Sequence, residues 1–492
     1  MLPSPLAQPG WPMPDFFING QPVHAEPGQT VLQAALAAGH YIPYFCWHPN
    51  LSVAGNCRMC IVDVEDGKGG TWSEIACNMP IEEGMKVLTE TESVRNRRKE
   101  TLQLILLNHP VDCGICDKAG ECMLQDQHYE YHGERPVSFE PKVTATKFHS
   151  LSERIVIDNE RCILCSRCTR FTAEVSGSHS LAIQFRGDHS LVRAVEDGAF
   201  DRDPYSDNVV DICPVGALLS KDFMYRSRVW YMKPTPSVCP GCERGCTVNI
   251  WHRKPEWKLN ALDPRRNASI DRVTPLENPA VNGPWICNKG RDLAKIFERP
   301  RAEQALLKGK PAELAEAMAR ARDLVTEAKR PVALVSSWGS NEELAAFKAM
   351  LGARLTAFVK HDAVPAPGEV IEDKVLIRPD KNPNRRAAEA LFGAAPISFP
   401  EGTDLVLVWG EGFNFAGLPR GAKVIFLNSY LRPENGHADV FLPISAQTER
   451  NGHYTNFEGT VSEFRACFAR KAGVADAEAV FAALATRERV AA

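Results

Sequence analysis

Fifteen of the chain's 16 cysteines lie between Cys46 and Cys287, and only Cys467 stands apart. A disulfide framework is the first reading to weigh, but that solution belongs to short secreted domains. This chain has 492 residues, enough for about three domains. Its first 57 residues contain no Lys or Arg, so neither a signal nor a transit peptide is expected. No apolar run approaches the roughly 20 residues that span a bilayer. The expected setting is therefore cytoplasmic, where clustered C-x-x-C pairs bind metal. A net charge of −4 gives no ground for nucleic-acid binding.

The cysteines fall into four groups. Cys46, Cys57, Cys60 and Cys77 half meet the plant-type [2Fe–2S] pattern, because the first gap is longer than C-x4-C. Four thiolates are also a structural zinc set, so zinc stays open here. His109, Cys113, Cys116 and Cys122 read H-x3-C-x2-C-x5-C. His109 either completes a [4Fe–4S] ligand set or hydrogen-bonds the end of a helix; three cysteines lacking a fourth favour the ligand. Cys162, Cys165 and Cys168, with Cys213-Pro214 beyond, approach the bacterial [4Fe–4S] run, and Cys213 is expected to close the same cluster. Cys239, Cys242, Cys246 and Cys287 fit a further [4Fe–4S] cluster, with a zinc ribbon as the alternative. Cys467 is expected to be a buried apolar residue. Several clusters on one chain suit electron relay, since a cluster accepts one electron with little rearrangement.

Other chemistry is unsupported. No C-x-x-C pair precedes a His, and no P-loop motif occurs. Gly410-Glu411-Gly412 follows a strand but lacks the third glycine of a dinucleotide fingerprint, so a tight turn is expected. Strand and turn signals run from residue 15 to 23, with a short helix from Thr30 to Leu36. Residues 92–108 are helical in pattern, and their basic run Arg95, Arg97, Arg98, Lys99 is expected to face solvent or a partner. After Arg299, apolar strands at 331–335, 404–409 and 423–427 alternate with helical stretches, which predicts a largely parallel sheet.

Ile42-Pro43-Tyr44-Phe45-Cys46-Trp47-His48-Pro49, Ala54-Gly55-Asn56-Cys57-Arg58-Met59-Cys60, Leu107-Asn108-His109-Pro110-Val111-Asp112-Cys113 and Ala119-Gly120-Glu121-Cys122 resemble the large iron–sulfur subunit of respiratory complex I, from about residue 14 to 290. The resemblance implies a [2Fe–2S] cluster on the first group and [4Fe–4S] clusters on the second and third. The fourth group resembles an extra [4Fe–4S] cluster of some bacterial members, lying off the main electron path. His437-Ala438-Asp439-Val440-Phe441-Leu442-Pro443 and residues 451–459 resemble segments of the molybdopterin-oxidoreductase fold, yet only 205 residues follow Cys287.

The expected fold is thus α+β and multidomain. A β-grasp [2Fe–2S] ferredoxin-like domain (14–95) precedes a two-cluster [4Fe–4S] region (96–140 and 141–230). A small [4Fe–4S] domain (231–297) and a shortened molybdopterin-oxidoreductase-like α/β domain (298–492), without molybdenum, follow. The family's partners are an NADH- and FMN-binding flavoprotein and quinone-side [4Fe–4S] subunits. The implied place is peripheral, on the cytoplasmic side of a bacterial inner membrane, with membrane contact only through partners and no catalysis by this chain. A hydrogenase or formate dehydrogenase built on the same module, and a zinc-stabilised binding scaffold, are the rival readings.

Overall fold

Asn19 and Gly20 both have positive φ, the geometry of a two-residue hairpin, and they turn strand β1 (Asp15–Ile18) into β2 (Gln21–His24). The structure is a computed structural model that describes residues 15–65, 70–134, 140–257, 267–352, 356–360 and 368–485. Residue 14, where the first domain is expected to begin, and residues 486–492 of the last lie outside these. The chain divides into two compact units, Met1–Trp230 and Tyr231–Ala492.

In the first unit, helix α1 (Val31–Ala37) starts at a reciprocal cap: Thr30 N–H donates to Gln33 Oε1 at 2.9 Å, and the Thr30 hydroxyl accepts from Gln33 N–H. Its buried face packs in a core with Phe16, Ile18, Val62, Val64 and Val87. Strands β3 (Ile61–Glu65), β4 (Thr71–Ile75) and β5 (Lys86–Leu88) complete a five-stranded mixed sheet in the order β2-β1-β5-β3-β4. Helix α2 (Glu92–Leu106) follows, capped by the Thr91 hydroxyl. Its basic run does not all face water. Arg98 is fully buried, donating to Glu90 Oε1 (2.9 Å), the Ile61 carbonyl (3.1 Å) and the Tyr131 hydroxyl (3.3 Å). A guanidinium partnered through both terminal nitrogens this way is tolerated inside, which charge patterning alone cannot reveal.

Short elements carry the rest of this unit. They are α3 (Met123–Gln127), β6 (His149–Ser150), β7 (Ile155–Ile157), α4 (Arg167–Glu174), a β8–β9 hairpin (Leu181–Gln184, Leu191–Ala194), α5 (Asn208–Ile212) and β10 (Leu218–Ser220). β10 pairs antiparallel with β7, and Asp158 N–H donates to the Ala217 carbonyl at 2.8 Å.

The second unit opens with a three-stranded antiparallel sheet, β11 (Met232–Val238), β12 (Thr247–Arg253) and β13 (Ile270–Pro275), followed by short helices α6 (Asn288–Arg291) and α7 (Leu293–Phe297). A seven-stranded sheet then forms from β14 (Ala305–Leu307), β15 (Lys310–Ala312), β16 (Pro331–Val335), β17 (Thr356–Val359), β18 (Leu405–Trp409), β19 (Lys423–Asn428) and β20 (Val440–Pro443). β17, β16, β18, β19 and β20 are mutually parallel, in that spatial order, and β14 and β15 add an antiparallel edge.

Every residue of β16 and β18 is buried, as expected of strands covered on both faces. On one face lie α8 (Leu314–Glu327), α9 (Asn341–Leu351), α10 (Arg385–Phe392) and, after α11 (Pro433–His437) and a β21–β22 hairpin (Gly452–Thr455, Val461–Phe464), α12 (Ala477–Leu484). Phe347, Trp409 and Phe481 meet there with ring centroids 4.8–5.1 Å apart. The other face is closed by Phe413, Ile397, Phe399 and Leu418 from loops. Gly410 and Gly412 have φ of +91° and +88°, the turn expected there. No helix among the described residues is long and apolar enough to cross a membrane.

Candidate iron–sulfur sites

Three of the first group's thiols, those of Cys46, Cys60 and Cys77, are buried, and Cys57 is half-buried. Cys46 precedes Trp47 in a loop, Cys57 and Cys60 flank the turn before β3, and Cys77 lies just past β4. The backbone N–H groups of Phe45 and Cys46 both donate to Cys57 Sγ at 3.4 Å. The Cys46 thiol is pulled well below its ordinary range by hydrogen bonds from Cys57 and Cys77, and Cys60 is lowered by Cys77. The four sulfurs therefore form one linked set.

In the second group His109 is half-buried beyond the end of α2, and burial lowers its ring pKa to about 4. A neutral imidazole is the form that binds metal. The Val111 N–H donates to His109 Nδ1 at 3.1 Å, so ligation through Nε2, which places the proton on Nδ1, would cost this bond. Cys122 stands at the N-terminus of α3, where the Leu124 and Gln125 N–H groups reach its sulfur; burial nevertheless pushes its thiol up to about 11. Cys116 is likewise raised by burial.

The third group is the most complete. The β7–β10 pairing brings the 158–166 loop and the start of α4 beside the loop that begins at Cys213. Cys162, Cys165, Cys168 and Cys213 line one pocket, together with Ile157 and Leu218. Burial raises Cys162 to about 12 and Cys165 to about 11. Such thiols stay protonated unless a cation binds them. Leu164 and Ser166 have φ of +52° and +60°. These left-handed residues turn the Leu164 and Arg167 N–H groups toward the sulfurs of Cys162 and Cys165. Alternation of this kind makes an anion-binding nest, at a cost of roughly 1–3 kcal/mol per strained residue. Arg58, between Cys57 and Cys60, repeats the device at φ +59°, as does Gly245 at +62° between Cys242 and Cys246.

In the fourth group, the β11–β12 hairpin sets Cys239 and Cys246 side by side, with Cys239 N–H donating to the Cys246 carbonyl at 2.8 Å. Gly241 N–H reaches Cys239 Sγ at 3.4 Å, and Cys287 caps α6. Burial raises Cys239, Cys246 and Cys287, and the thiols of Cys239, Cys242 and Cys287 raise Cys246 further. Cys467 is half-buried rather than fully buried, in a loop after β22, and burial pushes its thiol up to about 12.

Among the described residues no three His, Cys, Asp or Glu side chains gather tightly enough for one mononuclear ion. A cluster instead spaces its thiolates around a core several atoms wide, and the four cysteines of the third group line one pocket.

Two residues around these sites carry no signal in the cysteine spacing. A Cβ on Gly216 would lie 2.1 Å from Cys116 Sγ, so only glycine fits where the Cys213 loop meets the second group. Arg161, nearly fully buried, pairs with Asp112 at 2.6 Å and Asp158 at 3.2 Å beside the same groups.

Comparison with known proteins matches these regions in order. Residues 13–92 match a 2Fe-2S iron-sulfur cluster binding domain, 98–136 the NADH-ubiquinone oxidoreductase-G iron-sulfur binding region, 152–219 the ferredoxin-like domain of NADH-quinone oxidoreductase subunit 3, and 232–299 the molybdopterin oxidoreductase Fe4S4 domain. A subunit of the NADH-quinone oxidoreductase of Rickettsia typhi is 36% identical over 276 residues, which cover 56% of this chain and 38% of that protein. The resemblance to the large iron–sulfur subunit of complex I holds. The mitochondrial NADH dehydrogenase [ubiquinone] iron-sulfur protein 1 of Solanum tuberosum is 37% identical over 295 residues, covering 60% of this chain and 38% of that protein. A solved chain of an NAD+-reducing [NiFe]-hydrogenase is 30% identical, covering 44% of this chain and 92% of its own, with a TM-score of 0.38. The chain spans less than half the length of the Rickettsia and Solanum relatives it matches. Its architecture is multidomain α+β, with 2Fe–2S and 4Fe–4S binding domains before the α/β sheet.

Proposed function

We propose that this chain relays electrons within an NADH-quinone oxidoreductase, receiving them from an NADH- and FMN-binding flavoprotein and passing them toward [4Fe–4S] subunits on the quinone side. In this reading Cys46, Cys57, Cys60 and Cys77 hold a [2Fe–2S] cluster. Three [4Fe–4S] clusters sit on His109 with Cys113, Cys116 and Cys122; on Cys162, Cys165, Cys168 and Cys213; and on Cys239, Cys242, Cys246 and Cys287. The observation that carries it is the cavity walled by all four cysteines of the third group. When bound, the clusters supply one-electron redox chemistry. The chain's own residues deliver thiolates, point backbone N–H groups at sulfur, and exclude water by burial. They make and break no substrate bond. The chain lies at the membrane's cytoplasmic face through partner subunits, and residues 300–492 serve as a scaffold without molybdenum.

The test is NADH-driven reduction in the assembled complex. Low-temperature EPR on rapidly frozen samples is expected to show this chain's clusters reduced within a turnover. Clusters that stay oxidised under NADH would refute the relay. His109→Ala is expected to remove or alter one [4Fe–4S] signal while sparing the [2Fe–2S] signal; an unchanged spectrum would remove His109 from the ligand set.

A further inference from the structure

Three arginines are buried among the described residues: Arg98, Arg161 and Arg167. Arg98 is paired with Glu90, and Arg161 with Asp112 and Asp158. Arg167 is 4% exposed, and among the described residues no ion pair joins it to a carboxylate. Its guanidinium instead donates to the Trp47 carbonyl at 2.6 Å and the Ile212 carbonyl at 2.9 Å, and approaches Met123 Sδ at 3.8 Å. The Tyr44 ring lies 5.8 Å away, and among the described residues Arg167 Nε has no hydrogen-bond partner.

Each contact adjoins a cysteine of a different group. Trp47 follows Cys46, Met123 follows Cys122, and Ile212 precedes Cys213; Arg167 itself precedes Cys168. One buried cation thus touches the ligand-bearing segments of all three groups in the first unit. Carbonyl dipoles offset only part of the cost of burying it, since an interior charge demands an opposite charge. Among the described residues no side-chain carboxylate supplies that charge, whereas thiolate-ligated clusters would, because four thiolates leave a cluster with net negative charge.

We propose that Arg167 is the shared counter-ion of these clusters and a positioning residue that raises their reduction potentials, most of all that of the third. The inference rests on the proposed ligand sets. When one electron passes between neighbouring clusters, the donor is oxidised by one electron and the receiver reduced by one, with no bond made or broken. The receiver becomes more negative by one charge, and a fixed adjacent cation favours that state.

The experiment is an EPR-monitored redox titration of the anaerobically purified full-length chain, with iron and sulfide assayed on every sample. Arg167→Gln is expected to shift the midpoint of the third cluster to lower potential, with smaller shifts in the other two. Arg167→Lys keeps the charge and is expected to lie nearer wild type. Unchanged midpoints in a fully loaded Gln variant would overturn the proposal. If the Gln variant loses iron while the Lys variant keeps it, the charge is what holds the clusters, in support. If both lose iron, the hydrogen-bonding fork matters rather than the charge, and the proposal fails. Wild-type protein without iron would instead refute the ligand reading itself.

Discussion

The cysteine-bearing loops of residues 15–230 and the seven-stranded sheet of the second unit solve the folding problem in opposite ways. The sheet is conventional: β16, β18 and β19 are mostly Val, Leu, Ile, Ala and Phe, with helices over one face. Its stability comes from apolar burial, at roughly 25 cal/mol per Å². The loops instead spend stability on left-handed Arg58, Leu164 and Ser166, on buried arginines, and on thiols that burial keeps protonated. The buried thiols, and Arg167 with no carboxylate paired to it among the described residues, are offset only when metal takes the thiolates. The contrast assigns packing-driven stability to the sheet and metal-dependent stability to the loops.

The largest expected effect breaks the two regions apart. Stripping the clusters with a chelator and oxidant should abolish hydrogen-exchange protection around residues 155–220 while leaving β16, β18 and β19 protected. Equal loss in both would erase the contrast. Next comes Gly216→Ala, whose new methyl has no room beside Cys116 Sγ. It should distort the second group, reduce iron by up to one cluster's worth, and leave the sheet's exchange rates unchanged. The smallest effect lies in the sheet region, where the Ser340 hydroxyl accepts from Glu343 N–H at 3.1 Å to cap α9. Ser340→Ala should cost about 1 kcal/mol in denaturant melts of that region, with iron content unchanged.

Much of this organisation is legible in the sequence, because cysteine spacing and alternating apolar strands are local signals. The Asn19-Gly20 hairpin, the Thr30 cap and the Gly410 turn follow from residue type alone. Arg98 escapes that reading. It sits within a basic run, and only the third dimension supplies Glu90 and the Ile61 carbonyl. Arg167 and Gly216 escape for the same reason, since their contacts come from segments far away in the chain. An arginine inside C-x2-C-x2-C and a glycine three residues past Cys213 were the available hints. Cys467 shows the reverse limit, because a lone cysteine carries no pattern from which its exposure follows.

The central claim is that the four groups hold clusters. Iron, zinc and acid-labile sulfide analysis of anaerobically purified protein, joined to low-temperature EPR after reduction, tests it most directly. One [2Fe–2S] and three [4Fe–4S] clusters predict about 14 iron atoms with matching sulfide and both classes of EPR signal. About four zinc ions, no sulfide and no signal would contradict the account.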